Sequence, residues 1–219
     1  MKKTLLILIF LCSLKSIAQK NSQTELGAWY MYNGSHQVSD KFSLKTMAHF
    51  RFFEIGDDMQ QFIGRLGGNY KINNNLSATL GYAYLNTDSS FGLEGGNVNE
   101  HRIYEDFNIK HKANKLGFAH RFRAEQRFFN ATTAHFIRYQ IGLSYPLSHN
   151  WSTYLYNEIF FDFDDEAYNQ NWLGAGFQYK ISKATKLKIG YQKIGVNNGG
   201  SFDRLLLGIA INTDHRKKK

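Results

Sequence analysis

The sequence has 219 residues and a formal net charge of +9, with 16% aromatic residues, one proline and one cysteine. That length suits a single domain. Because Cys12 falls within a leader, the rest of the chain offers no disulfide, cysteine metal ligand or cysteine nucleophile.

The leader is the first element. Lys2 and Lys3 form a positive start, residues 5–11 form a short apolar core, and Ser16-Ile17-Ala18 places small residues at both cleavage-defining positions. A signal peptide over 1–18 is therefore expected, with the mature chain starting at Gln19 and a barrel domain over 19–219. Leu11 stands before Cys12 where a lipoprotein signal needs a small residue, so no lipid anchor is expected. Without Lys2, Lys3 and Lys15 the formal charge falls to +6, and Arg216-Lys217-Lys218-Lys219 carries +4 of it. Behind an export leader such a tail reads as solvated or phospholipid-facing, and no nucleic-acid partner is expected. No later segment reaches the ~20 apolar residues of a membrane helix. A membrane could be entered only by a closed barrel, in which every backbone group pairs with a neighbouring strand.

Period-2 segments follow in succession. Strands are expected near 24–33, 41–54, 59–72, 75–87, 98–112, 115–129, 135–146, 150–162, 170–181, 184–195 and 202–213. Most are ten to fifteen residues long, the length a tilted membrane strand requires, and Pro146 falls in a turn. In 76–84, Leu76, Ala78, Leu80, Tyr82 and Tyr84 share one face. In 137–145, Ile137, Tyr139, Ile141, Leu143 and Tyr145 oppose Arg138, Gln140, Gly142 and Ser144. In 205–211, Leu205, Leu207, Ile209 and Ile211 form the apolar face. Periodicity leaves open whether such faces turn inward, as in a soluble barrel, or outward to lipid. Strand length, the leader and aromatic residues near strand ends favour lipid.

Short and long connections alternate. The turns at 72–76, 112–115, 146–150 and 181–185 are short, whereas 86–100, 128–135, 162–170 and 195–201 are mostly longer. Short periplasmic turns and longer external loops are the outer-membrane pattern, so Asn73, Ala113, Ser148 and Lys183 are expected inside and the acidic loop 162–166 outside. The fold class is an all-β, antiparallel up-and-down transmembrane barrel of 10–12 strands. Eleven segments can be read, 24–33 least clearly, and the even-number habit of bacterial barrels favours ten or twelve.

Residues 120–129, "HRFRAEQRFF", carry the clearest charge pattern. Arg121, Arg123, Glu125 and Arg127 share one face, while Phe122, Ala124 and Phe128 share the other. Arginine facing lipid costs about 2–4 kcal/mol at mid-bilayer, so the charged row is assigned to the lumen. A turn centred at Ala113-Asn114 would set Asp106 opposite Arg121 and Arg102 opposite Glu125. Further turns would set Glu125 opposite Arg138 and Arg138 opposite Glu158. A slip of two residues would move each pair and keep the faces. The expected belt comprises Arg102, Asp106, Arg121, Arg123, Glu125, Arg127, Arg138 and Glu158. It would act either as a network filling a narrow lumen or as an anion-selective constriction. Arg51, Arg65, Lys71, Lys110, Lys186, Lys188 and Arg204 also fall on lumen faces.

The leader ending "IAQ", the early "ELGAWYMY", the strand "HRIYEDF" and the run "HRFRAEQRFF" together resemble the domain-of-unknown-function 2490 family of bacterial outer-membrane proteins. The resemblance covers essentially all of the mature chain. It implies an outer-membrane β-barrel with no established activity. Trp172 stands where the resemblance leads one to expect an arginine, and the chain ends "INTDHRKKK" rather than on an aromatic residue.

Enzyme chemistry has little support. A lipid hydrolase would need Ser and His on one outward face; His120 points outward, Ser144 inward, and the expected neighbour of His120 is Leu143. Asp162, Asp164, Asp165 and Glu166 form a weak calcium candidate without the glycine of an EF-hand loop. The histidines show no zinc spacing, and no cofactor is expected. Expected partners are outer-membrane lipids and the barrel-assembly machinery. The expected function is a structural or small-solute passage role, with anions favoured by the arginine-rich lumen. A lipid-modifying barrel enzyme and a soluble periplasmic ligand-binding barrel are the alternatives.

Overall fold

The computed structural model describes residues 21–92, 96–165 and 167–216. The expected leader, Glu166 and the last three lysines lie outside the described residues.

The described residues form eleven strands in sequence order: β1 (Leu26–Gln37), β2 (Phe42–Phe52), β3 (Met59–Lys71), β4 (Leu76–Thr87), β5 (Val98–Ala113), β6 (Leu116–Phe128), β7 (Thr133–Pro146), β8 (Trp151–Asp162), β9 (Tyr168–Lys180), β10 (Thr185–Val196) and β11 (Ser201–Asp214). Each pairs antiparallel with its sequence neighbour, and β1 closes the barrel against β11. Closure leaves no edge strand open to another chain.

Eleven lies within the expected range of ten to twelve, but the even-number preference does not hold. With an odd count β1 and β11 run in the same direction, so the closing pair is parallel, from Leu26 opposite Asp203 to Gln37 opposite Asp214. The segment read least clearly is a full strand, extending four residues beyond its expected end to Gln37. His36 secures that extension: its ring lies 3.0 Å from Thr46 Oγ1 on β2 and 2.8 Å from Thr213 Oγ1 on β11.

The period of two sorts the side chains. The outer surface exposes Leu66, Phe107, Phe122, Ile137, Leu155, Leu173, Phe177 and Ile189, among other large apolar residues. The inside is less uniform than expected. Charged residues gather on the β5–β8 side. On the β1–β11 seam side the interior holds an apolar cluster, Trp29, Met31, Ile194 and Leu206 packed against Trp172, Tyr156 and Phe202, beside the buried Arg204 and Gln192. Glycine admits the bulkier lumen rings: a Cβ at Gly81 would collide with the Tyr104 ring.

One rim carries short connections, such as the two-residue turn Asn114-Lys115 between β5 and β6, where Asn114 adopts a left-handed φ of 55°. The other rim carries longer loops, including the one joining β4 to β5. β1 begins at the long-loop rim, and β11 ends at the short-turn rim.

Candidate functional site: a charged belt across the lumen

The belt is built from alternate residues of β5, β6, β7 and β8. Glu125 on β6 is its hub, at 1% exposure. It accepts from Arg102 Nη1 at 3.0 Å, Arg127 Nη2 at 2.6 Å and Arg138 Nη1 at 2.8 Å, and Arg123 Nη1 lies 3.5 Å away. Glu158 on β8, also 1% exposed, takes Arg121 Nη2 at 2.6 Å and Arg138 Nη2 at 2.7 Å. Gln140 donates to its second oxygen at 2.9 Å. Asp106 holds Arg123 through two parallel bonds of 2.6 and 2.8 Å. Glu100 was not anticipated in the belt; it accepts from Arg102 Nε at 2.7 Å. Two-pronged arginine–carboxylate contacts of this kind fix geometry as well as adding energy.

All eight belt residues named from the sequence lie along one continuous network, yet each expected cross-strand pair is shifted by two residues. Arg102 faces Arg127, Asp106 faces Arg123 and Glu125 stands opposite Tyr104 and Phe136. Arg138 faces Phe160, and Glu158 faces Gln140. The turns cause the shift. Asn114-Lys115, rather than Ala113-Asn114, turns the chain between β5 and β6, and Leu147–Asn150 rather than a turn centred on Ser148 joins β7 to β8. The side chains meet regardless, because diagonal neighbours lie within reach of a long arginine.

Aromatic rings complete the belt. The Arg127 guanidinium sits 3.6 Å from the Phe136 ring centroid, and that of Arg138 sits 4.0 Å from Phe160. Arg51 reaches in from β2 and stacks on Trp29 at 3.6 Å, with Trp172 edge-on to Trp29 at 5.2 Å. Trp172, where an arginine was expected, thus walls the lumen beside two arginines, 5.4 Å from Arg51 and 5.5 Å from Arg138. Alternation alone does not distinguish a lumen-facing tryptophan from a lipid-facing one, so it does not assign Trp29 or Trp172 to the lumen.

Three cavities adjoin the belt. One of about 510 Å³ opens toward the short turns and is lined by Lys45, Lys71, Lys110, Arg65 and Arg121. One of about 250 Å³ lies toward the long loops, beside Arg51, Arg102, Arg127 and Arg204. The third, about 330 Å³, lies between Arg51, Arg65, Arg121, Arg138 and Lys188. Among the described residues cations outnumber carboxylates on all three walls, where the acids are Glu100, Asp106 and Glu158.

The other candidates do not converge. His120 faces outward, with Tyr139 Oη 2.9 Å from its Nδ1, and its cross-strand neighbour is Ile141 rather than Leu143. Ser144 lines the lumen. Of the acidic loop, Asp164 lies 3.1 Å from His135 Nδ1 and Asp162 accepts from the Asp164 backbone at 3.1 Å. No group of three or more His, Cys, Asp or Glu suited to a metal occurs among the described residues. The sequence reading also passed over Glu105, an exposed carboxylate on the outer face between Leu80 and Ala124.

Residues 26–205 match the family model described as "Protein of unknown function (DUF2490)". Among solved structures the chain is similar to the KdgM porin, at 15% identity over 80% of this chain and 86% of that one, with a TM-score of 0.47. It is also similar to an anion-selective porin from Comamonas acidovorans, at 14% identity over 80% and 53% of the two chains, with a TM-score of 0.40. LpxR from Salmonella typhimurium aligns at 7% identity over 77% and 83%, with a TM-score of 0.47. No curated protein matches.

Proposed function

This chain belongs to the DUF2490 family, and from that premise we propose that it is an outer-membrane β-barrel whose basic lumen passes small anions through a constriction formed by the belt. Residues 1–18 serve as the export leader and 19–219 as the barrel. Lipid covers the apolar outer surface, and the barrel-assembly machinery inserts it. The exposed Leu, Ile and Phe residues around the outside support the membrane setting, since so large an apolar surface is unfavourable in water. The observation that carries the passage reading is the excess of cations over carboxylates on the lumen walls, which favours anions in a pore.

Planar-bilayer recordings on the purified chain test this. Conductance is expected, with a reversal potential in a chloride gradient that reports anion preference, and Arg65→Gln is expected to weaken that preference. A silent bilayer for both the native chain and Glu125→Gln would leave a plugged, structural barrel. That second reading has its own support, because Arg123, Glu125, Arg138 and Glu158 are each no more than 4% exposed.

Orientation is tested separately. Asn130 sits in a connection at the long-loop rim and Lys115 in a turn at the short rim. An impermeant maleimide on intact cells is expected to label Asn130→Cys and to reach Lys115→Cys only after permeabilisation. The reverse pattern would invert the barrel.

A further inference from the structure

We propose that the mid-lumen cavity of about 330 Å³ is a binding site for the oxyanion group of a small solute: a phosphate, sulfate or carboxylate held chiefly by Arg51 and Arg65. This rests on the lumen reading above but does not require that anything pass through.

The first support is charge. Arg51, Arg65, Arg121, Arg138 and Lys188 line this cavity, and Glu158 is its one carboxylate among the described residues. Glu158 is already engaged by Arg121, Arg138 and Gln140. Among the described residues, neither Arg51 nor Arg65 makes an ion pair. Arg51 donates to Gln61 at 2.9 Å, whereas Arg65 lies over the Tyr104 ring, at 5.6 Å. Lys188 likewise lies over a ring, 4.2 Å from the Tyr154 centroid. Guanidiniums without a directly paired carboxylate in a confined space are unfavourable.

The second support is the balance of hydrogen-bonding groups. Buried side-chain atoms with no partner include Nε of Arg51, Arg65 and Arg121, Nε1 of Trp29 and Nε2 of Gln192, together with His49 Nδ1 and Tyr154 Oη. All seven residues line this one cavity. The first five atoms only donate, whereas the last two can also accept. A wall with surplus donors and surplus positive charge is matched best by a ligand that accepts hydrogen bonds and carries negative charge. Water, which must also donate, matches it less well. Trp29, Trp172, Tyr154 and Tyr156 supply apolar faces for the rest of the solute. Arg65 also borders both neighbouring cavities, one toward each rim of the lumen.

The test uses the full chain in detergent, inorganic phosphate as the probe, and heat-modifiable gel migration as the measure of folded fraction. At phosphate about a hundredfold above its Kd, the unfolding midpoint of the native chain is expected to rise by roughly 5 to 10 °C over chloride of equal ionic strength. Arg65→Met is expected to cross over: more stable than the native chain without phosphate, because an uncompensated charge is gone, and unresponsive to phosphate. Arg51→Met is expected to lose most of the response, and Arg65→Lys to keep part of it. An equal response in Arg65→Met and the native chain, or none beyond chloride in the native chain, would overturn the site. Should Arg65→Met fail to fold, equilibrium dialysis of the native chain decides: saturation near one phosphate per chain supports the site, and no saturable binding removes it. Phosphate binding without conductance would defeat the passage reading alone, and conductance without binding would defeat the site alone.

Discussion

Glu125→Gln is expected to destabilise the barrel by about 3 kcal/mol, near the lower end for breaking a buried ion pair. Glu125 compensates four guanidiniums at once, those of Arg102, Arg123, Arg127 and Arg138. Glutamine keeps the shape and one acceptor oxygen but removes the charge. The loss is moderated because three of the arginines keep a close second acid: Glu100 for Arg102, Asp106 for Arg123 and Glu158 for Arg138. Arg127 fares worst, since its remaining acid, Glu100, is 3.8 Å away. Adding Arg138→Gln removes one of the guanidiniums that Glu125 had compensated, so the double variant should recover part of the loss. Urea unfolding of the four proteins in lipid or detergent should give a coupling of about 1 kcal/mol or more between the two sites. A coupling near zero would mean that each arginine is hydrated on its own in a wide, wet lumen. That outcome would replace the packed belt with an aqueous pore.

Ile189→Arg is expected to cost about 2–4 kcal/mol if its outer face meets the bilayer interior. Ile189 is 51% exposed, and its cross-strand neighbours are Phe177 and Leu207, so an arginine there finds no acid. Leu80 is a weaker probe despite its greater exposure, because Glu105 stands opposite and would pair with the new charge. Gln178→Arg is the control. It lies one strand away opposite Lys188, lines the mid-lumen cavity, and places its charge in the lumen. Repulsion from Lys188 opposite gives this variant a cost of its own, but one below that of Ile189→Arg, because a lumen charge is not set against hydrocarbon. Folded yield in vesicles and urea midpoints measure both. Equal damage by the two substitutions would show that the outer face does not meet lipid.

The fold was largely legible in the sequence because a strand writes its two faces into alternate positions. Leu80 against Thr79, or Phe122 against Arg123, already separates outside from inside, and the structure exposes the first of each pair and buries the second. The belt residues could be named for the same reason: charges at every second position of β6 cannot be divided between two faces. Register was another matter. It depends on which two residues make each turn, and the left-handed φ of Asn114 moved every partner in β5 and β6 by two places. Parity likewise depends on the whole ring. Nothing within β1 or β11 alone states that the two will meet in parallel; that follows only from counting every strand and closing the sheet.

The sequence by itself determined the period, the strand lengths, the faces and the charge carried by the lumen side of each strand. The tertiary structure decided which lumen charges neutralise one another. Curvature brings β2 and β3 across the lumen from β6 and β7, strands they never touch along the chain, so Arg51 and Arg65 face Arg121 and Arg138 across one cavity. Hydrogen bonding within a strand pair is local and readable from alternation. Electrostatic balance across a closed ring is a sum over residues far apart in sequence, and it takes a value only once the ring has closed.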